Sequence, residues 1–86
     1  MYDYPLLEEW TTQEICDVIS LYNAVEKAYE GGIKRDQFMK AYRRFTEIVD
    51  SKSLQKQLDR AFMKASSYSI YKVFKASQEG NDMICL

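Results

Sequence analysis

Three amphipathic stripes constrain this chain more than any other feature. Ile15, Val18, Tyr22, Val25 and Tyr29 recur at intervals of three and four residues. Phe38, Tyr42, Phe45 and Val49 form a second such set, and Leu54, Leu58, Phe62 and Ala65 a third. That spacing puts each set on one face of an α-helix, and the faces can leave water only by packing on one another. The predicted fold is all-α: three to four helices in a small compact, antiparallel array behind an extended N-terminal arm. Leu21, Ala24 and Ala28 broaden the first stripe, so helix 1 is expected to contact both later helices.

The punctuation of the chain divides this single domain, residues 1–86. Residues 1–10 read as the arm, with Pro5 disfavouring helix at Tyr4. Helix 1, residues 11–30, opens on Thr11 as N-cap with Glu14 completing a capping box, and Trp10 and Ile15 are placed to form a hydrophobic staple. Gly31-Gly32 end it. Helix 2, residues 34–49, repeats the staple with Ile33 and Phe38, although Lys34 offers no capping oxygen. Ser51 and Ser53 are both candidate caps for helix 3, residues 53–66. At Ser66-Ser67 the chain either breaks or bends; a break predicts a short helix 4, residues 69–77, capped by Ser69. Residues 78–86, with Gly80-Asn81-Asp82, read as a frayed tail.

A domain of 86 residues buries only roughly 60–65% of its unfolded-chain surface. Twelve aromatic residues, seven of them tyrosine, enlarge so small a core, since each can bury about 150–250 Å². With 47% hydrophobic and 29% charged residues the chain has the balance of a water-soluble domain, and no apolar run approaches the ~18 residues of a membrane span. The acidic N-terminus is unlike a signal peptide, and two cysteines, Cys16 and Cys85, are too few for a disulfide framework. A reduced, cytoplasmic protein with no membrane partner is expected.

Histidine is absent, which removes the commonest general base and metal ligand. Glu14 and Asp17 form an E-x-x-D of the kind that all-helical nucleotide pyrophosphohydrolases use in pairs to hold a divalent metal. The second pair would be Glu26 and Glu30, at the wrong spacing, and capping already accounts for Glu14. Cys16 sits beside Asp17, whose charge opposes thiolate formation, so it reads as a semi-buried structural cysteine. Gly31-Gly32 lacks the frame of a phosphate loop. No catalytic residue, metal or cofactor is expected.

Charge is distributed unevenly. Residues 1–30 hold seven acids and one base, and residues 31–86 hold eleven bases and six acids, a division of −6 and +5. Lys52, Lys56, Arg60 and Lys64 recur every four residues opposite the apolar stripe of helix 3, and Lys40, Arg43 and Arg44 lie opposite that of helix 2. Side by side these faces would form a patch able to contact phosphates; apart, they are solvated surface. The stretch Ser66 to Tyr71 is rich in hydroxyls that can cap, contact a ligand or accept a phosphate, and a helix–turn–helix corner with its tyrosines packed in is the simpler account. The leading expectation is a non-enzymatic protein-interaction module, self-associating or docking on a partner, with Tyr2, Tyr4, Trp10, Tyr68, Tyr71 and Phe74 as candidate contacts. The alternative is a nucleic-acid accessory protein using Lys40, Arg43, Arg44, Lys56, Arg60 and Lys64; a metal-dependent hydrolase ranks third.

Several segments carry a resemblance to a known family. Tyr4-Pro5 through Trp10-Thr11-Thr12-x-Glu14, Ala24-Val25-Glu26-x-Ala28-Tyr29-Glu30-x-Gly32-Ile33, Ser51-Lys52-Ser53 and Ala65-Ser66-x-Tyr68-Ser69-Ile70-Tyr71 together resemble the YktA-like family of small cytoplasmic proteins of Bacillus-type bacteria. The similarity extends to about Ala76. It implies an all-helical domain of three or four helices, and no activity, since the family is uncharacterised. Relatives tend to carry proline near Asp50 and glycine near Ser67, and the serine weighs against a sharp left-handed corner.

Overall fold

The computed structural model describes residues 4–86. These residues form four helices: α1 (Thr12–Glu30), α2 (Arg35–Ile48), α3 (Lys52–Ser66) and α4 (Ile70–Ser77). Two short strands, β1 (Ile33–Lys34) and β2 (Met83–Ile84), pair antiparallel with Ile33 opposite Ile84. Among the described residues no helix is long and apolar enough to cross a membrane.

Helix α1 starts where its capping box dictates. The Glu14 amide donates to Thr11 Oγ1 at 3.1 Å, and the Glu14 carboxylate accepts from the Thr11 amide at 2.8 Å. It ends at Glu30, where the carbonyl of Lys27 accepts from both Gly31 and Gly32. Gly32 takes φ +112°, a conformation open to glycine at little cost, and the Ile84 carbonyl passes 3.5 Å from where a Cβ would stand. Val18, Leu21, Tyr22, Ala24, Val25 and Ala28 are all buried, so α1 has the widest apolar face of the four helices. Its largest interface is with α2; it also touches α4, and it meets α3 through the stacked rings of Tyr22 and Phe62.

The C-terminal segment corrects the expectation of a frayed tail. Ile84 is buried against the core, the Leu86 amide donates to the Ala28 carbonyl, and the Asp82 carbonyl accepts from the Arg35 amide at 2.8 Å. This last bond answers the weak start of α2: Lys34 makes no side-chain cap, and a backbone oxygen of the returning chain satisfies one of the free helix amides instead. Arg35 Nε in turn donates to the Ser77 carbonyl at the end of α4.

Two further expectations change at the end of α3. Ala65 is exposed, and Ser66 takes the buried place one position on, continuing the row of Leu58 and Phe62. Burial of this serine leaves no orphaned polar atom, because its hydroxyl donates to the Phe62 carbonyl at 2.7 Å and accepts from the Tyr68 amide at 3.1 Å. Helix α3 then breaks rather than bends. Ser67 adopts φ +69°, the left-handed corner its side chain argued against. Ser51, not Ser53, caps the start of α3.

Candidate functional site

The position of α4 is set by its first residues. Ser69 Oγ accepts from the Lys72 amide, and the Asp59 carboxylate, reaching from α3, accepts from the Ile70 amide at 2.8 Å and from the Ser69 hydroxyl. A carboxylate at a helix N-terminus also meets the favourable end of the helix dipole. Tyr29 Oη accepts from the Ser69 amide, and its ring stacks on Tyr68 with centroids 4.4 Å apart. Anchored this way, α4 turns Ile70, Val73 and Ser77 into the core. Phe74, one residue further round, packs on Tyr42 of α2, and Tyr71 is exposed.

A groove forms between α3 and α4. Its inner part, about 200 Å³, has Tyr42, Phe45, Ile70 and Phe74 as an apolar floor, with Lys52 and Lys56 at the margin. An adjoining part of about 370 Å³ is bounded by Lys56, Arg60 and Lys72 with Met63 and Tyr71. Phe74 stacks on Tyr42 at 4.5 Å, which fixes the floor. Tyr71 is 62% exposed and Met63 40% exposed, the two large apolar side chains that this surface leaves in water. Burial, with a smaller contribution from the charge of Asp59, which also lines both parts of the groove, pushes the Tyr42 hydroxyl above its ordinary pKa.

The sequence-derived candidates separate into groups. Tyr71 and Phe74 share the groove with Lys56 and Arg60. Tyr4 and Trp10 instead join the arm to the core: the Tyr4 ring stacks on Tyr22, its hydroxyl donates to the Glu26 carboxylate, and Trp10 is buried. Tyr68 is half-buried and donates to Glu30 at 2.8 Å. Tyr2 lies outside the described residues. On α2, Lys40 and Arg44 line a different depression, shared with Asp17 and Ser20 of α1. Arg44 is bound there to Asp17 at 2.8 Å and to Glu47 at 3.5 Å, and its hydrogen bond holds the Asp17 carboxyl below its usual range. Arg43 and Lys64 are exposed and line neither part of the groove. Lys40 and Arg44 of α2 thus do not line the groove that Lys56 and Arg60 share. The groove recruits Lys52, Lys72 and Met63 beyond the candidate list; the four-residue spacing of Lys52, Lys56 and Arg60 announced the first, while Met63 stands off every stripe and carries no sequence signal.

The four acids considered as metal ligands have separate engagements. Glu14 caps α1, Asp17 holds Arg44, and Glu26 and Glu30 accept from Tyr4 and Tyr68. Among the described residues no three acidic or thiol side chains converge on a point a metal could occupy. Cys16 and Cys85 are both free and exposed, so Cys16 is not the semi-buried residue that the sequence predicts.

Similarity to known proteins covers almost the whole chain. The profile of the uncharacterised protein family UPF0223 matches residues 1–84. The chain belongs to this family. Its relatives include the UPF0223 protein OB1419 of Oceanobacillus iheyensis, 46% identical over 94% of this chain and 92% of its own length. The UPF0223 protein YktA of Bacillus subtilis is 46% identical over 93% of this chain and 91% of its own. The UPF0223 protein SUB0967 of Streptococcus uberis is 47% identical over 91% and 85%. UPF0223 is uncharacterised, so membership assigns no activity and no site residue to these positions. A functional reading must come from the groove itself.

Proposed function

We propose that this chain is a small non-enzymatic module that binds another protein through the groove between α3 and α4, in the cytoplasm. One observation carries the reading: Tyr71, the one exposed aromatic side chain among the described residues, and Met63 stand in water beside an apolar floor. Exposed aromatic and methionine side chains beside a groove favour polypeptide contacts, since they gain from desolvation without needing a fixed hydrogen-bond geometry. The groove is shallow and its two parts are open, which suits a side-chain anchor better than an enclosed cofactor. The absence of histidine and the separate engagement of the α1 acids support a non-enzymatic role. Two exposed, unpaired cysteines fit a reducing compartment.

Nucleic-acid binding is the second reading, favoured by the same exposed tyrosine among Lys56, Arg60 and Lys72. A photo-cross-linking amino acid at position 71, activated in cells, separates the two. Adducts to a defined polypeptide are the expected result. Adducts to RNA or DNA, or a chain that stays free and monomeric, would overturn the protein-binding reading.

A further inference from the structure

We propose that the occupant of this groove is an acidic amphipathic helix of a partner protein, an inference that rests on the protein-binding reading above. Lys52, Lys56 and Arg60 follow one another at four-residue intervals along α3, a rise of about 6 Å per step. Carboxylates at i, i+4 and i+8 on a partner helix laid along α3 repeat with the same rise, so one can meet each cation in register. Lys72 closes the opposite margin from α4, and between the margins lie Tyr71, Met63 and Phe74 to receive the partner's apolar stripe. A peptide docking as an added β-strand would need a strand edge, and among the described residues none borders the groove; a helix satisfies its own backbone.

The charges also speak against a nucleic acid. Asp59 sets a carboxylate into the groove, engaged by the amide of Ile70 and the hydroxyl of Ser69, with no basic side chain within ion-pair distance among the described residues. A phosphate chain threading the groove passes over that charge, whereas a docked helix keeps its acids at the rim, and the Ile70 amide and Ser69 hydroxyl offset the desolvation that its apolar face imposes on Asp59. A long phosphate track would further need the bases of α2, which lie beside α1 with Arg44 already bound to Asp17.

The test uses the full isotope-labelled chain and three probes. One is an 18-residue helical peptide with a Leu/Phe stripe flanked by Glu; the second replaces every Glu by Lys; the third is a single-stranded oligouridylate. The acidic peptide is expected to bind with spectral changes at Tyr71, Phe74, Met63 and Lys56. Its affinity is expected to weaken about tenfold in K56E/R60E, and to fall as salt rises. Both substitutions are of exposed residues, and Y71A provides a second variant that leaves the rim charges intact and is expected to weaken binding comparably. Tighter binding of the Lys peptide, preferential binding of the oligouridylate, absence of binding, or changes confined to another face would each overturn the assignment. The photo-cross-link at position 71 keeps the two readings apart. A cross-linked partner segment that is neutral or basic overturns the acidic helix and leaves protein binding standing; absence of any polypeptide adduct overturns both.

Discussion

Tyr22 and Phe62 stack with ring centroids 4.7 Å apart and planes 14° from parallel, and this contact ties α1 to α3. Tyr4 closes over the pair from the arm, 5.3 Å from Tyr22 and 6.2 Å from Phe62. The Tyr22 hydroxyl, at the edge of the cluster, donates to the Pro5 carbonyl at 2.8 Å. Three segments far apart in the chain thus meet on three rings, and the helix that carries Lys52, Lys56 and Arg60 is positioned by one of them.

Phe62→Ala should therefore cost more than its own burial. Removing a fully buried phenylalanine leaves a cavity and typically destabilises by about 3–5 kcal/mol, and here it also removes the partner of Tyr22. Against a total stability of about 5–15 kcal/mol the variant should be marginal, with its urea midpoint well below that of the parent. Phe62→Leu, which keeps most of the volume, should lose much less. An unchanged midpoint for the alanine variant would reject the packing of α3 on α1.

Ile84→Ala should loosen the start of α2 as well as the tail. Ile84 is 2% exposed, so its truncation is expected to cost about 2–4 kcal/mol. The Arg35 amide donates to the Asp82 carbonyl and the Leu86 amide to Ala28, so both should exchange slowly with solvent in the parent and faster in the variant. Free exchange at Arg35 in the parent would show that the C-terminal segment does not dock.

Much of this fold was legible in the sequence, and the parts that were not share a physical cause. The capping box of Thr11 and Glu14 and the caps at Ser51 and Ser69 join residues at most three positions apart, so their chemistry is readable locally. The pairing of Ile33 with Ile84 joins distant residues through two-residue strands, too short to show any alternation, and Gly80-Asn81-Asp82 masks the return as a loop. The candidate site divided in the same way. The spacing of Lys52, Lys56 and Arg60 put them on one face of α3, but whether that face adjoined the bases of α2 depended on how the helices rotate about one another. Phe74 stacking on Tyr42 and Phe62 on Tyr22 decide that rotation, and it turns Lys40 and Arg44 toward α1 instead.

Ser67→Gly should stabilise the protein. The serine sits at φ +69°, where a Cβ costs roughly 1–2 kcal/mol that glycine escapes, and the greater freedom of glycine in the unfolded chain returns part of that gain. The side chain is exposed at this corner. A net gain of about 0.5–1 kcal/mol is expected, a rise in melting temperature of several degrees for a domain of this size. Ser67→Val should move it in the opposite direction by at least as much, because a branched side chain fits the left-handed region poorly. A lower melting temperature for the glycine variant would argue that the corner is not left-handed in solution.

Tyr22 predicts the alkaline limit of the fold. Burial first, and then the negative charge of Asp59, hold its hydroxyl well above the ordinary tyrosine pKa. An unfolded tyrosine ionises near pH 10, whereas the folded one keeps its proton to higher pH, so the stabilisation is complete below about pH 10 and drains away as pH rises through the folded value. In that window each proton released only on unfolding costs about 1.4 kcal/mol per pH unit. Tyr22→Phe should be less stable at neutral pH by about 1 kcal/mol, because the Pro5 carbonyl loses its donor, yet its stability should fall less steeply above pH 10. The slope should not vanish, since Tyr42 is shifted in the same direction for the same reasons. Urea midpoints from pH 8 to 11 for the two proteins provide the measurement. Parallel curves would mean that Tyr22 ionises as freely in the folded chain as in the unfolded one, and that the ring cluster joining the arm, α1 and α3 is open to water.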